Sequence, residues 1–326
     1  MIDVLLIGIG ATTFSALESL IFKCNVQGLV RNIETESAVD DPVVTFAQQK
    51  GIPIFSNISQ SEIKSLLLKF QPDCVVISSY NQILPAEIIE LSTFLNVHYS
   101  PLPNYRGRAN VNWAIINNEP CAAITIHKIS AELDEGNILF QQLIPIQSDH
   151  TVTDIYDQLN TIQRQFLGET VIKVFNGYQG IKQNSVEATY SCTRLPEDGE
   201  INWSDSSRSI DCLIRALVSP FPAAYTYFQQ KKLLIWQAQI LNNPPAYVGR
   251  IPGRVIGRSK TEGYVDVLTG DGVLRLSKVQ FVGQEITATA NIIKSTKSTL
   301  GLQMSDLLIR IQSLETEITK LKENAK

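Results

Sequence analysis

The sequence contains no Cys-x-x-Cys pair, and its five cysteines, Cys24, Cys74, Cys121, Cys192 and Cys212, are odd in number and widely spread. That spacing excludes a disulfide framework and a zinc site built on paired thiols, so reduced thiols are expected. Long apolar runs are also missing: none approaches the roughly 18 residues that suggest a membrane span. The opening MIDVLLIGIG puts Asp3 where a secretion signal needs positive charge. The expectation is a cytoplasmic protein with no membrane partner and no metal. A surplus of basic charge is lacking as well, with 28 Lys and Arg against 32 Asp and Glu, net −4. A chain built mainly to grip nucleic acid shows the opposite balance. No internal repeat or low-complexity tract is apparent.

What is present is enough chain, 326 residues with 44% hydrophobic and 18% charged content, for two folded domains. Strand and helix signals alternate through the first half. Residues 2–7, 26–30, 52–55, 74–77 and 94–98 read as strands, and 13–23 and 63–70 carry helical spacing. Asp41 reads as an N-cap with Pro42 at the first helical position and Gly51 as the stop, and Ser59 with Glu62 makes a capping box. This order predicts an α/β fold with a doubly wound, mostly parallel Rossmann-like sheet over residues 1–186. From 187 to 292 the texture changes. A strand-like 188–192 precedes one helix at 207–218, followed by short β runs at 224–228, 233–240, 254–258, 264–268 and 273–279. Gly263, Gly270, Gly272 and Gly283 punctuate them, which predicts a small OB-like β-barrel domain. Over 300–326, Leu300, Met304, Leu307, Ile311, Leu314, Ile318 and Leu321 follow an a/d heptad pattern. An amphipathic helix is expected there, and with it a coiled-coil homodimer.

The sharpest local feature is NVHYSPLPNYRGRANVNWAI, residues 96–115. Side chains alternate along a strand, so Asn96 and His98 project to one side at its carboxyl end. Pro101, Pro103 and Gly107 then require an irregular loop, and in doubly wound sheets that edge is where ligands sit. An imidazole there can move a proton near neutral pH, and a carboxamide can donate to a developing oxyanion. A strand-end histidine is more often a structural hydrogen-bonding residue, so Asn-x-His alone is a weak signal. In AELDEGNILFQQ, residues 131–142, Asp-Glu-Gly between the β runs 123–129 and 138–144 is an ordinary turn sequence. Asp134 gains interest only if folding brings it to His98, where it would orient the ring. Gly8 and Gly10 begin a dinucleotide fingerprint but Thr13 replaces the third glycine, and Arg31 rather than an acid follows the second strand. NAD is therefore not expected. Tyr105, Arg106 and Arg108 are candidates for substrate phosphate contacts or for a solvated loop surface.

Taken together these motifs resemble the folate-dependent formyltransferases, a family that includes methionyl-tRNA, sugar and glycinamide ribonucleotide enzymes. Asn96, His98, Ser100, Leu102, Pro103, Arg106 and Gly107 meet its first motif, with Pro101 where leucine is usual. Asp134, Gly136 and Ile138 meet its second, and RLPEDGEINW, RALVSPFPAAYTY and TGDGVLRL resemble its C-terminal domain. The resemblance covers roughly residues 1–290. It implies 10-formyltetrahydrofolate as donor and Asn96, His98 and Asp134 as catalytic residues. It also implies a folate pocket drawing on main-chain atoms around Ser79, Tyr80, Gln82, Ile83 and Leu84, and around Glu135 and Gly136.

The acceptor amine is open among a nucleotide-linked amino sugar, an aminoacyl initiator tRNA and a carrier-bound amino acid. A catalytically silent folate- or nucleotide-binding module is the non-enzymatic alternative, and the intact Asn96, His98 and Asp134 oppose it. The tRNA enzymes resemble one another in a basic loop before the second long helix. Here that region, RNIETESAVDDPVV, holds four acids and Arg31 as its single base. Its charge would repel phosphates, so a nucleotide sugar is expected as acceptor and tRNA is not expected as a partner.

Overall fold

The computed structural model describes residues 1–32 and 42–324. Asp41, expected as an N-cap, and the acidic stretch 34–41 lie outside the described residues. The chain divides into two compact units, Met1–Ala114 with Glu119–Arg194, and Ile115–Asn118 with Leu195–Lys326.

The first unit opens with β1 (Asp3–Gly8), α1 (Gly10–Leu20), β2 (Asn25–Arg31), α2 (Pro42–Gln49), β3 (Ile54–Ser56), α3 (Gln60–Phe70), β4 (Cys74–Ser78), α4 (Ala86–Ile89) and β5 (Thr93–His98). Then come β6 (Arg106–Gly107), α5 (Asn110–Ile116), β7 (Cys121–Lys128), β8 (Ile138–Pro145), α6 (Val152–Phe175) and β9 (Tyr190–Ser191). Seven strands form one sheet in the order β3-β2-β1-β4-β5-β7-β8, and β6 pairs with β9 apart from it. Pairings from β3 through β5 are parallel, while β7 runs antiparallel to both β5 and β8. Val4, Leu5, Leu6 and Ile7 of β1 are all fully buried, and β4 is buried throughout. Near-continuous apolar strands of this kind belong to a sheet covered on both faces. One face packs Leu5, Ile7, Val75 and Ile77 against Ile63, Leu67 and Ile88.

The Ser59–Glu62 capping box is present at α3, and Thr151 with Asp154 makes another at α6. Each cap satisfies backbone donors that a helix start leaves orphaned, worth about 1 kcal/mol. The 24-residue α6 has no counterpart among the sequence expectations. It lies so close to α1 that a Cβ added at Gly168 would sit 2.8 Å from the Ser19 carbonyl oxygen.

The second unit carries α7 (Ser207–Ala216), β10 (Ala224–Phe228), β11 (Lys231–Ile240), β12 (Val255–Arg258), β13 (Val265–Leu268), β14 (Val273–Phe281), β15 (Thr287–Ala288), α8 (Thr289–Ile292) and α9 (Met304–Asn324). The strands form an antiparallel path β10-β11-β14-β13-β12, with β15 on β14. Leu233, Ile235, Val265, Val267, Leu274, Leu276 and Val279 are fully buried and make its core, and α7 packs on β11. No described helix is long and apolar enough to cross a membrane.

Candidate functional site

The site grows from the carboxyl end of β5. Asn96 lies directly opposite His127 in the β5–β7 ladder, and His98 opposite Thr125. Alternation puts Asn96 and His98 on one side, as expected. The turn after residue 128 returns Asp134 to them. Its carboxylate stands with Oδ2 3.6 Å from His98 Nδ1 and Oδ1 3.5 Å from His127 Nε2. Asn96 Nδ2 lies 3.4 Å from Asp134 Oδ1 and 3.1 Å from His127 Nε2. Asp134 Oδ2 also accepts from the Gly107 amide at 2.9 Å. Three side chains and one main-chain amide thus converge on one carboxylate.

The turn that delivers Asp134 is tightly held. Asp134 adopts a left-handed backbone, φ 52°, which costs an L-residue about 1–2 kcal/mol and persists only where the surroundings enforce it. Gln183 supplies part of that enforcement, donating from Nε2 to the Asp134 carbonyl at 2.7 Å and to the Gly136 carbonyl at 2.8 Å. Gly136 is required by close approach: a Cβ there would stand 1.8 Å from the Lys128 carbonyl oxygen.

Both imidazoles are buried, and their outer nitrogens are fixed by carbonyls. His98 Nε2 donates to Tyr105 O at 3.0 Å, and His127 Nδ1 donates to Lys128 O at 2.8 Å. With its amide oriented by its partners, Asn110 accepts from His98 Nε2 at 2.9 Å and donates to Ser191 Oγ, which itself donates to Arg106 O at 3.2 Å. Burial pushes His98 below its ordinary pKa, and the negative charge of Asp134 opposes this without overcoming it. Burial acts to raise Asp134. The hydrogen bond with His127, the charges of His98 and His127 and the Gly107 amide outweigh it and hold the carboxyl well below the usual carboxylate range. An ionised carboxylate beside imidazole and carboxamide can take a proton, orient a ring and leave an amide N–H to meet an oxyanion.

The remaining candidates divide. Residues 79–85 leave β4 beside β5, since Ile77 pairs with Asn96 and Ser78 with Val97. Ser79 is exposed with φ 63°, Tyr80 is half-buried, Gln82 and Ile83 are exposed, and Leu84 is buried. Glu135, beside Gly136, accepts from Ser185 Oγ at 2.7 Å. Arg108 is exposed, and the Tyr105 hydroxyl donates to Glu119 Oε1 at 2.5 Å. Arg106 departs from the expected phosphate contact or solvated loop: it is 1% exposed. Its guanidinium donates to Gln183 Oε1 at 2.9 Å and lies over the Tyr190 ring, so it braces the loop from inside. His127, Asn110, Gln183 and Ser191 escape the sequence reading. A histidine inside the β run 123–129, at a position paired with Asn96, is the one signal that could have found any of them.

An α/β unit carrying an Asn–His–Asp cluster at a strand end, followed along the chain by a strand-rich unit, defines the class by architecture: a two-unit α/β protein with a polar site at the carboxyl edge of its sheet. Two family descriptions match, formyl transferase over residues 24–171 and the formyl transferase C-terminal domain over 195–297. A methionyl-tRNA formyltransferase of Caldanaerobacter subterraneus is 35% identical over 248 residues, covering 74% of this chain and 78% of that protein. One of Alkaliphilus oremlandii is 31% identical over 249 residues, covering 75% and 78%. Among solved structures, an N-formyltransferase of Helicobacter canadensis in complex with folinic acid and dTDP-3-aminofucose shares the fold. Its TM-score is 0.65 at 21% identity, covering 85% of this chain and 98% of that one. The chain belongs to the formyltransferase family and is a folate-dependent N-formyltransferase.

These relatives overturn two expectations, the nucleotide-sugar acceptor and the exclusion of tRNA as a partner, because sequences 30–35% identical over most of the chain carry the methionyl-tRNA name. The physical reason lies in how charge was weighed. Net charge averages the whole chain, yet residues 231–299 hold ten basic and four acidic residues while the rest holds 18 and 28. The acidic stretch 34–41 is therefore no measure of the surface a polyanion would meet.

Proposed function

We propose that this enzyme transfers the formyl group of 10-formyltetrahydrofolate to the α-amino group of methionyl-tRNA. The observation that carries the acceptor is the 30–35% identity to methionyl-tRNA formyltransferases over about three quarters of the chain. The basic surplus within 231–299 supports a polyanionic partner, and exposed Arg108 supports a phosphate contact near the loop. Aminoacyl-tRNA meets its enzymes where translation runs, which supports a cytoplasmic location.

In this reading the amine attacks the formyl carbon and a new C–N bond forms. The oxygen takes up negative charge, met by the Asn96 amide and by His98. Asp134 holds His98 and receives the amine proton, directly or through water. The intermediate collapses, the bond from the formyl carbon to N10 of the carrier breaks, and N10 takes the proton as tetrahydrofolate leaves. Main-chain groups of residues 79–85 and 134–136 hold the folate, which fits the exposed and varied side chains there. The exposed heptad face of α9 supports association of two copies of the chain.

An acceptor panel tests the reading. Methionyl initiator tRNA, free methionine and an amino-sugar nucleotide are offered with radiolabelled formyl donor. Transfer to the tRNA is expected, with binding that weakens steeply as salt rises. Transfer to the sugar nucleotide alone would overturn it.

A further inference from the structure

The chain has three histidines, and two of them turn toward one carboxylate. A neutral imidazole has a single N–H. His98 gives its own to Tyr105 O at 3.0 Å and His127 gives its own to Lys128 O at 2.8 Å. When both rings are neutral, the inner nitrogens, His98 Nδ1 and His127 Nε2, are lone pairs, 3.6 Å and 3.5 Å from the oxygens of Asp134. Asn96 Nδ2 caps His127 Nε2 at 3.1 Å. With the ring neutral, a lone pair at His98 Nδ1 faces an ionised carboxylate, an arrangement that either a proton or a metal ion between them relieves.

The geometry suits a particular kind of cation. One ligand atom from each of His98, His127 and Asp134 can be chosen so that all three lie within 4.8 Å of one another. Ligands bound tetrahedrally to Zn²⁺ at about 2.1 Å stand about 3.4 Å apart. Each ring nitrogen lies close to that distance from its own carboxylate oxygen, His98 Nδ1 at 3.6 Å from Oδ2 and His127 Nε2 at 3.5 Å from Oδ1. The outer support is also that of a metal site: each ring is fixed by a carbonyl on its far nitrogen, and the carboxylate is fixed by the Gly107 amide at 2.9 Å. Two imidazoles with one carboxylate favour Zn²⁺ and its neighbours over Mg²⁺ or Ca²⁺, which prefer oxygen shells.

We propose that His98 Nδ1, His127 Nε2 and the Asp134 carboxylate bind a divalent transition-metal ion of the zinc class. Asn96 Oδ1, after rotation of its amide, or a water takes the fourth position. Bound metal occupies Asn96, His98 and Asp134 together, so it inhibits formyl transfer. That consequence rests on the catalytic reading above, whereas the binding itself does not.

Metal-free full-length protein is titrated with Co²⁺, read by absorption, and with Zn²⁺, read by calorimetry. One equivalent is expected to bind in the micromolar range or tighter, with the intense visible bands of tetrahedral Co²⁺. His127→Ala, His127→Gln and Asp134→Ala should each weaken binding at least about 100-fold, beyond the 10–100-fold typical of outer-sphere changes. His150→Ala should leave it unchanged, and circular dichroism checks that each variant is folded. Unchanged binding in folded His127→Gln, or no binding by the intact protein up to millimolar metal, would overturn the site. Binding there without inhibition of formyl transfer would count against the catalytic roles instead.

Discussion

His98 is braced from a distance. Its Nε2 meets Asn110, Asn110 meets Ser191 Oγ, and Ser191 pairs with Gly107 in the short β6–β9 ladder. Ser191 touches neither reacting group in the proposed mechanism and acts through Asn110, so it is a positioning residue. Removing its hydroxyl forfeits about 1 kcal/mol of orientation, or about five-fold in rate. Ser191→Ala should therefore lower kcat about five-fold with KM nearly unchanged, and Ser191→Thr should restore it. Steady-state kinetics on both variants check this, and a rise in KM at constant kcat would speak for a binding role. That Asn96 and His98 share one side was legible because strand alternation is local, whereas Asp134 was singled out by the family resemblance and not by its turn sequence. His127 and Ser191 join the site across 31 and 81 residues of sequence, a proximity that folding creates and local pattern does not carry. Arg106 shows the converse error: a loop arginine reads as solvated, yet Gln183 and Tyr190 give it a buried berth.

Among the elements, the parallel strands were the most legible, because β1 and β4 are buried on both faces and leave unbroken apolar runs. α6 was not. Its buried face includes Asn160, Gln163 and Thr170, and the Tyr99 hydroxyl lies 2.7 Å from Asn160 Oδ1, so polar residues break the apolar stripe that marks a helix. Its start was nonetheless written in the sequence as Thr151 with Asp154 three residues on, the same device that marked α3 at Ser59 and Glu62. Thr151→Ala should destabilise the first unit by about 1 kcal/mol. Urea unfolding followed by circular dichroism measures it, and a midpoint unchanged from the intact chain would mean the cap contributes nothing net. The helix at Asn110–Ile116 likewise follows an irregular loop too closely for periodicity to separate the two.

For the whole molecule, the proposed partners rest on charge and the terminal helix. Met304, Ile311 and Ile318 occupy a positions and Leu307, Leu314 and Leu321 occupy d positions of α9, and all but Leu307 are exposed. In a parallel pair, Arg310 meets Glu315 and Glu317 meets Lys322 of the second copy, opposite charges in both cases. Sedimentation should find the full chain dimeric and a chain ending at Thr299 shifted to monomer. A full chain that sediments as a monomer would contradict this, and an equally tight truncated dimer would assign the contact elsewhere. The acceptor was the part least legible in the sequence, because a net charge cannot report where the basic residues gather.

Single-turnover formyl transfer to methionyl initiator tRNA, run with the intact enzyme and with folded His98→Ala, tests the central claim most directly. The account predicts formyl-methionyl-tRNA from the intact enzyme and a rate at least about 100-fold lower from the variant, the scale of a positioned acid, base or oxyanion donor. Equal rates from the two, or no transfer to charged tRNA from the intact enzyme, would contradict it.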